Sequence, residues 1–188
     1  MSRHNSFEKD QNAIDETNNE HERKLFRVES DDYGDKYQEH YLELYKLYVN
    51  TSESIGERRQ KNNSFFLTLN TSIIAFMSYV QFGAKPGENS DLYWLISLSG
   101  ILISFTWYRL IASYKDINTG KFKIIHLIEK KLPLSLYDAE WDVLGRGNKP
   151  ELYKEFTLTE KFIPWIFFGI HAIVLINVFP WKAICQFL

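Results

Sequence analysis

The chain has 188 residues, 45% of them hydrophobic, and a formal net charge of -2. That balance argues against the broad basic face that direct nucleic-acid binding needs, and the single cysteine, Cys185, excludes an intrachain disulfide framework or a thiolate metal cluster. The slightly polar mean hydropathy of -0.30 averages a very polar first third with three concentrated apolar runs.

Residues 1–35 are rich in Asn, Asp, Glu, Lys and His and lack an apolar leader, so they are expected to form a flexible tail. His4 and His21 lie there without a nearby second ligand and are expected to be surface residues. From Lys36 the pattern turns helical, with Asp35 as a candidate N-cap. Tyr37, Tyr41, Leu44, Tyr45 and Tyr48 recur at three- and four-residue steps and form an aromatic stripe. Its expected use is contact with another helix, another subunit or a partner; stacking on a ligand is the alternative.

No proline interrupts residues 37–82, and Gly56 is the only glycine. The stalk, residues 36–63, is therefore expected either to run unbroken into the first membrane span or to bend near Asn50-Thr51-Ser52 and Gly56. Glu57-Arg58-Arg59-Gln60-Lys61-Asn62-Asn63 abuts an uncharged run from Ser64 to Phe82. About 19 residues at about 1.5 Å each cross the roughly 30 Å of a bilayer's hydrocarbon layer. Arg58 and Arg59 are the expected interface anchors on the cytoplasmic side. Within this span, Ser64, Thr68, Thr71, Ala75 and Ser78 share one narrow face, while Asn63 and Asn70 share another. Thr68, Asn70, Thr71 and Ser78 are candidates for helix packing or for lining an aqueous path.

Residues 83–91 read as a short turn, followed by a second span over Leu92–Ile111. Trp94, Trp107 and Tyr108 lie near its ends, where aromatic belts form. Ser97, Gly100 and Ser104 make a small-residue packing face, and Arg109 is placed to snorkel to the headgroups. The Lys- and Arg-rich residues 112–161, set against the single Lys85, predict a cytoplasmic N-terminus by the positive-inside rule. A separate amphipathic helix is expected at Lys121–Lys131. A short helix is expected at Leu136–Leu144, with Ser135 and Asp138 as a capping-box-like start and Trp141 and Leu144 docking it.

The third apolar run, Phe162–Phe179, has Pro164 in its first turns and is short for a span, but a third span is favoured over a re-entrant hairpin. His171 is its one ionisable group, a candidate for interhelical hydrogen bonding or for proton transfer and gating. Enzyme motifs are scarce. Asn118-Thr119-Gly120-Lys121 lacks the rest of a phosphate-binding loop, and Lys121 with His126 is a poor counterpart of a ribonuclease Arg/His pair. Asp138, Glu140 and Asp142 cannot all share one helix face. Catalysis, cofactors and bound metal are not expected.

The blocks 57–71, Trp107-Tyr108-Arg109-Leu110-Ile111, Asn118-Thr119-Gly120-Lys121-Phe122 and Tyr137-Asp138-Ala139-Glu140-Trp141 with Leu144-Gly145-Arg146-Gly147 resemble the bacterial RipA family of octameric membrane proteins. The resemblance spans roughly residues 37–165. It implies a small inner-membrane protein assembling as a ring of eight. The chain is also distantly similar to the octameric membrane pore that accompanies type VI-B, RNA-targeting CRISPR effectors and aids defence against phage. Members of that group have been discussed as bearing a ribonuclease-like Arg/His pair, which the cytoplasmic loop lacks here.

The expected architecture is all-α: a tail, a helical stalk (36–63), a membrane hairpin (64–111), a cytoplasmic helical segment (112–161) and a third membrane helix with a short tail (162–188). Two functions are in view. One is a homo-oligomeric pore that depolarises the membrane on a cytoplasmic signal. The other is a non-conducting scaffold that recruits a cytosolic effector through its stalk and basic loop.

Overall fold

A computed structural model describes residues 16, 19–83, 90–149, 151–153 and 156–179. All regular structure among them is helical: α1 (residues 19–25), α2 (Ser30–Tyr33), α3 (Tyr37–Gly83), α4 (Ser90–Glu129), α5 (Leu136–Val143), a 3₁₀ turn (Gly145–Gly147) and α6 (Phe156–Val178). Three of these, α3, α4 and α6, are long and apolar enough to cross a membrane. The protein is an all-α membrane protein with a helical stalk.

The unbroken alternative holds for the stalk. α3 runs 47 residues without interruption, about 70 Å. Near the expected bend, Thr51 Oγ1 donates to the Tyr48 carbonyl at 2.7 Å and Ser54 Oγ to the Asn50 carbonyl at 3.0 Å. These hydroxyls bond back onto the helix instead of breaking it. The helix starts at Tyr37, and His40 N donates to Lys36 O at 3.0 Å, so Lys36 and not Asp35 holds the cap position.

α4 departs from expectation. Asn118-Thr119-Gly120 does not separate a membrane helix from an amphipathic one; the 40-residue helix passes straight through it. A glycine costs an α-helix only about 1 kcal/mol, and here the packed turns on both sides outweigh it. α6 begins at Phe156, six residues before the expected start. Its 23 residues reach about 35 Å, enough for a span. Pro164 therefore lies inside the helix and not in its first turn.

α4 is the centre of the bundle, packed mostly on α6 and then on α3. Trp107, Ile111 and Phe167 form the buried core, flanked by Phe66, Ile74 and Ile163. Trp107 stacks on Phe66 with ring centroids 5.8 Å apart and tilts on Phe167 at 6.1 Å. The aromatic-belt expectation for Trp107 is thus corrected: the ring is 2% exposed and faces the protein. Tyr108, one step round the helix, does lie against Trp165 at 5.6 Å.

Residues 19–35 of the expected tail do not float free, because apolar residues among them find the stalk. Phe26 stacks on Tyr41, and Lys131 Nζ lies 3.9 Å from the Phe26 ring centre. The expectations for His4, for residues 84–89 and for Cys185 fall outside the described residues.

Candidate functional sites in the stalk and membrane helices

The tyrosine stripe packs on the chain's own α4. Tyr41 Oη donates to the Ile128 carbonyl at 2.6 Å, and Tyr45 Oη to Glu129 Oε1 at 3.0 Å. Tyr48 receives Lys121 Nζ over its ring at 4.1 Å, and the same ammonium donates to Thr51 Oγ1 at 2.7 Å. Tyr37 stacks on Tyr41 at 5.8 Å. Burial pushes the Tyr41 hydroxyl up to about 12, with Tyr37 adding to it. Burial, then the bond to Glu129, does the same to Tyr45, also about 12.

Glu129 was not singled out from sequence, yet it ties three helices together. Its side chain is fully buried. Besides Tyr45 it accepts Tyr137 N at 3.1 Å and Asp138 N at 3.2 Å, the second and third amides of α5. An acidic group at a helix N-terminus satisfies orphan N–H donors and meets the positive end of the dipole. The capping-box expectation for Ser135 and Asp138 is corrected accordingly. Ser135 makes no cap bond and points its hydroxyl at the Glu129 carbonyl, 3.4 Å away. Asp138 pairs instead with His126 Nδ1 at 3.2 Å and Arg146 Nη2 at 3.1 Å, and Arg146 Nε also holds Asp142 at 2.5 Å. Partial burial works against the Asp138 charge, but the bonds from His126 and Arg146 outweigh it and hold the carboxyl below its usual value. Trp141 docks edge-on to Tyr153 at 5.5 Å. No three-residue metal-ligand group occurs among the described residues.

In the membrane part, the sequence candidates divide into two sets. Asn70 is fully buried: Ser104 Oγ donates to its Oδ1 at 3.1 Å, and its Nδ2 donates to the Phe66 carbonyl at 2.9 Å. Asn63 Oδ1 accepts Trp107 Nε1 at 2.9 Å. His171 is also fully buried, against Gly100, and among the described residues neither ring nitrogen has a partner. These are interhelical groups, and the face of Ser97, Gly100 and Ser104 is the surface that admits them.

Thr68, Thr71 and Ser78 lie outside the bundle, on the exposed face of α3. Thr71 Oγ1 bonds back to Leu67 O at 2.9 Å and Ser78 Oγ to Ile74 O at 2.8 Å. With Ser64 and Ala75 they form an exposed stripe in steps of four and three, continued toward the stalk by Lys61 and Glu57. The outward face of α4 is dominated by Leu92, Leu95, Leu98, Leu102 and Phe105, and that of α6 by Phe162, Ile166, Ile170, Ile173 and Ile176. Of the expected anchors, Arg58 and Arg109 are exposed. Arg59 turns inward, with Nε 2.7 Å from Glu160 Oε2 in α6, so it joins helices across the bundle.

No match to this chain emerged among curated proteins or among solved structures. The model of the octameric membrane protein family (8xMP) matches residues 42–180, from within the stalk past the end of α6, and so takes in α4, α6 and all of α3 beyond its first turn. The chain belongs to the octameric membrane protein family.

Proposed function

We propose that eight copies of this chain form a pore in the bacterial inner membrane, with the N-termini in the cytoplasm and the Thr68–Ser78 stripe of α3 toward the axis. A cytoplasmic signal opens it, the membrane potential collapses, and the biological setting is defence against phage. One observation carries this reading: beside Phe65, Leu67, Phe76 and Tyr79, the exposed surface of α3 carries a continuous stripe of hydroxyl and small side chains in register with Lys61 and Glu57, while the outward faces of α4 and α6 are dominated by Leu, Ile and Phe. Bundle surfaces that meet lipid favour large apolar groups, whereas aqueous paths favour polar ones. Catalysis has no part in the proposal.

The test is current across planar bilayers containing the purified octamer. Thr68→Leu and Thr71→Leu should each lower unitary conductance, and Ile173→Leu on the outer face of α6 should not. An intact octamer that passes no current at any voltage, with each candidate cytosolic partner supplied, would refute the pore.

The scaffold reading draws on a different feature, an aromatic cleft of about 460 Å³ beside the stalk, lined in part by the exposed Leu44 and Leu47. It predicts a stoichiometric cytosolic partner, lost in a Leu44→Asp/Leu47→Asp variant that still assembles in the membrane.

A further inference from the structure

A second cleft, about 470 Å³, lies where the polar heptad of α3 gives way to the apolar run. Arg59, Gln60, Asn63 and Ser64 from α3 and Glu160 from α6 line it, and Leu67, Trp107 and Ile163 form its apolar part. The cleft is therefore amphipathic at the depth where phospholipid headgroups meet acyl chains. Its volume is in the range of small-molecule sites, about 300–1,000 Å³.

We propose that this cleft binds the headgroup of a phosphatidylethanolamine-class lipid. The lining carries both charges in balance, because Arg59 is matched by Glu160, and each of these side chains is less than one-fifth exposed. A balanced pair suits a zwitterion better than a net anion. Donors for the phosphate come from the amides and the hydroxyl. Asn63 is oriented by the bond from Trp107, whose ring is locked in the core; with Oδ1 accepting that bond, Nδ2 is left as a donor.

Acceptors for the ammonium come from α6. Pro164 has no N–H, so the Glu160 carbonyl lacks the donor that a helix normally supplies four residues on. A primary ammonium can donate to a carbonyl and to a carboxylate; a quaternary choline cannot. The assignment holds whether the assembly conducts or not.

The experiment uses the intact octamer, delipidated in detergent and offered phosphatidylethanolamine, phosphatidylcholine or phosphatidylglycerol, with retained lipid counted by native mass spectrometry. Phosphatidylethanolamine should be retained at least about tenfold over either of the others, roughly one well-formed polar interaction's worth. Asn63→Asp keeps the acceptor for Trp107 but replaces the donor with a negative charge, and Ser64→Trp fills the cleft. Each should lower retention about tenfold or more, while Ile173→Leu should leave it unchanged. Equal retention of the three lipids, a preference for phosphatidylglycerol, or undiminished binding in both cleft variants would overturn the proposal. So would an image of the octamer with a neighbouring copy's side chain seated in the cleft.

Discussion

Replacing Gly100 with alanine probes the contact between α4 and α6 most directly. A Cβ built there lies 2.5 Å from Cε1, Nδ1 and Nε2 of His171 at once, so the imidazole lies face-on to the glycine. That is roughly 0.9 Å short of the 3.4 Å at which ordinary contact begins, deep in the repulsive part of the pair potential. His171 is fully enclosed, so either the ring turns against the side chains around it or the two helices separate. Overpacking of this kind costs about 1–3 kcal/mol. Alanine in place of glycine returns about 1 kcal/mol of helix propensity, leaving a net loss of up to about 2 kcal/mol.

In a His171→Ala background the obstruction is gone and only the propensity remains. There Gly100→Ala should stabilise by up to about 1 kcal/mol. The assay is reversible unfolding in mixed micelles, followed by the fluorescence of tryptophans including the core residue Trp107, for wild type, both single variants and the double variant. A coupling energy below about 0.5 kcal/mol, the range of independent sites, would refute the face-on contact.

Other outcomes follow from the stalk. Glu129→Ala should speed hydrogen exchange at the Tyr137 and Asp138 amides about 10- to 100-fold, as expected for losing an acceptor worth roughly 1.5–3 kcal/mol. Unchanged protection at those amides would remove Glu129 from its capping role. Alkaline absorbance titration should find two tyrosines ionising near pH 12, lost in turn with Tyr41→Phe and Tyr45→Phe. Because these groups ionise later folded than unfolded, their stabilisation is complete below the ordinary value of 10.0 and disappears as pH rises toward about 12. A titration in which every tyrosine ionises near the ordinary value would contradict that burial.

Asp138 has the opposite sign. Its carboxyl is held low, so its contribution is present above the usual carboxylate range of about 4 and fades as pH falls through the folded value. The stability gap between wild type and Asp138→Asn should therefore close in acid. A gap that stays constant with pH would mean the pairing with His126 and Arg146 contributes nothing.

Local chemistry in the chain determines a good deal by itself. Apolar runs of span length specify membrane helices, because unpaired backbone groups are untenable in hydrocarbon. Three- and four-residue spacing assigns the tyrosines to one face of the stalk, and the small residues Ser97, Gly100 and Ser104 mark a close-packing face on α4. The family-bearing blocks are legible in the same way. Periodicity sorts residues into faces, however, without saying what each face meets.

Tertiary structure made those choices. It put Asn70 against Ser104 inside the bundle and left Thr71, its chain neighbour, outside. It drew Arg59 across 101 residues to Glu160 and so away from the headgroups. It buried Trp107 in the core when its position near a span's end suggested a belt. Glu129 carried no local signal, since its partners Tyr45 and Tyr137 lie 84 residues before it and 8 after it. A carboxylate is worth burying only where several donors converge on it, and that convergence is created by the packing of α3, α4 and α5.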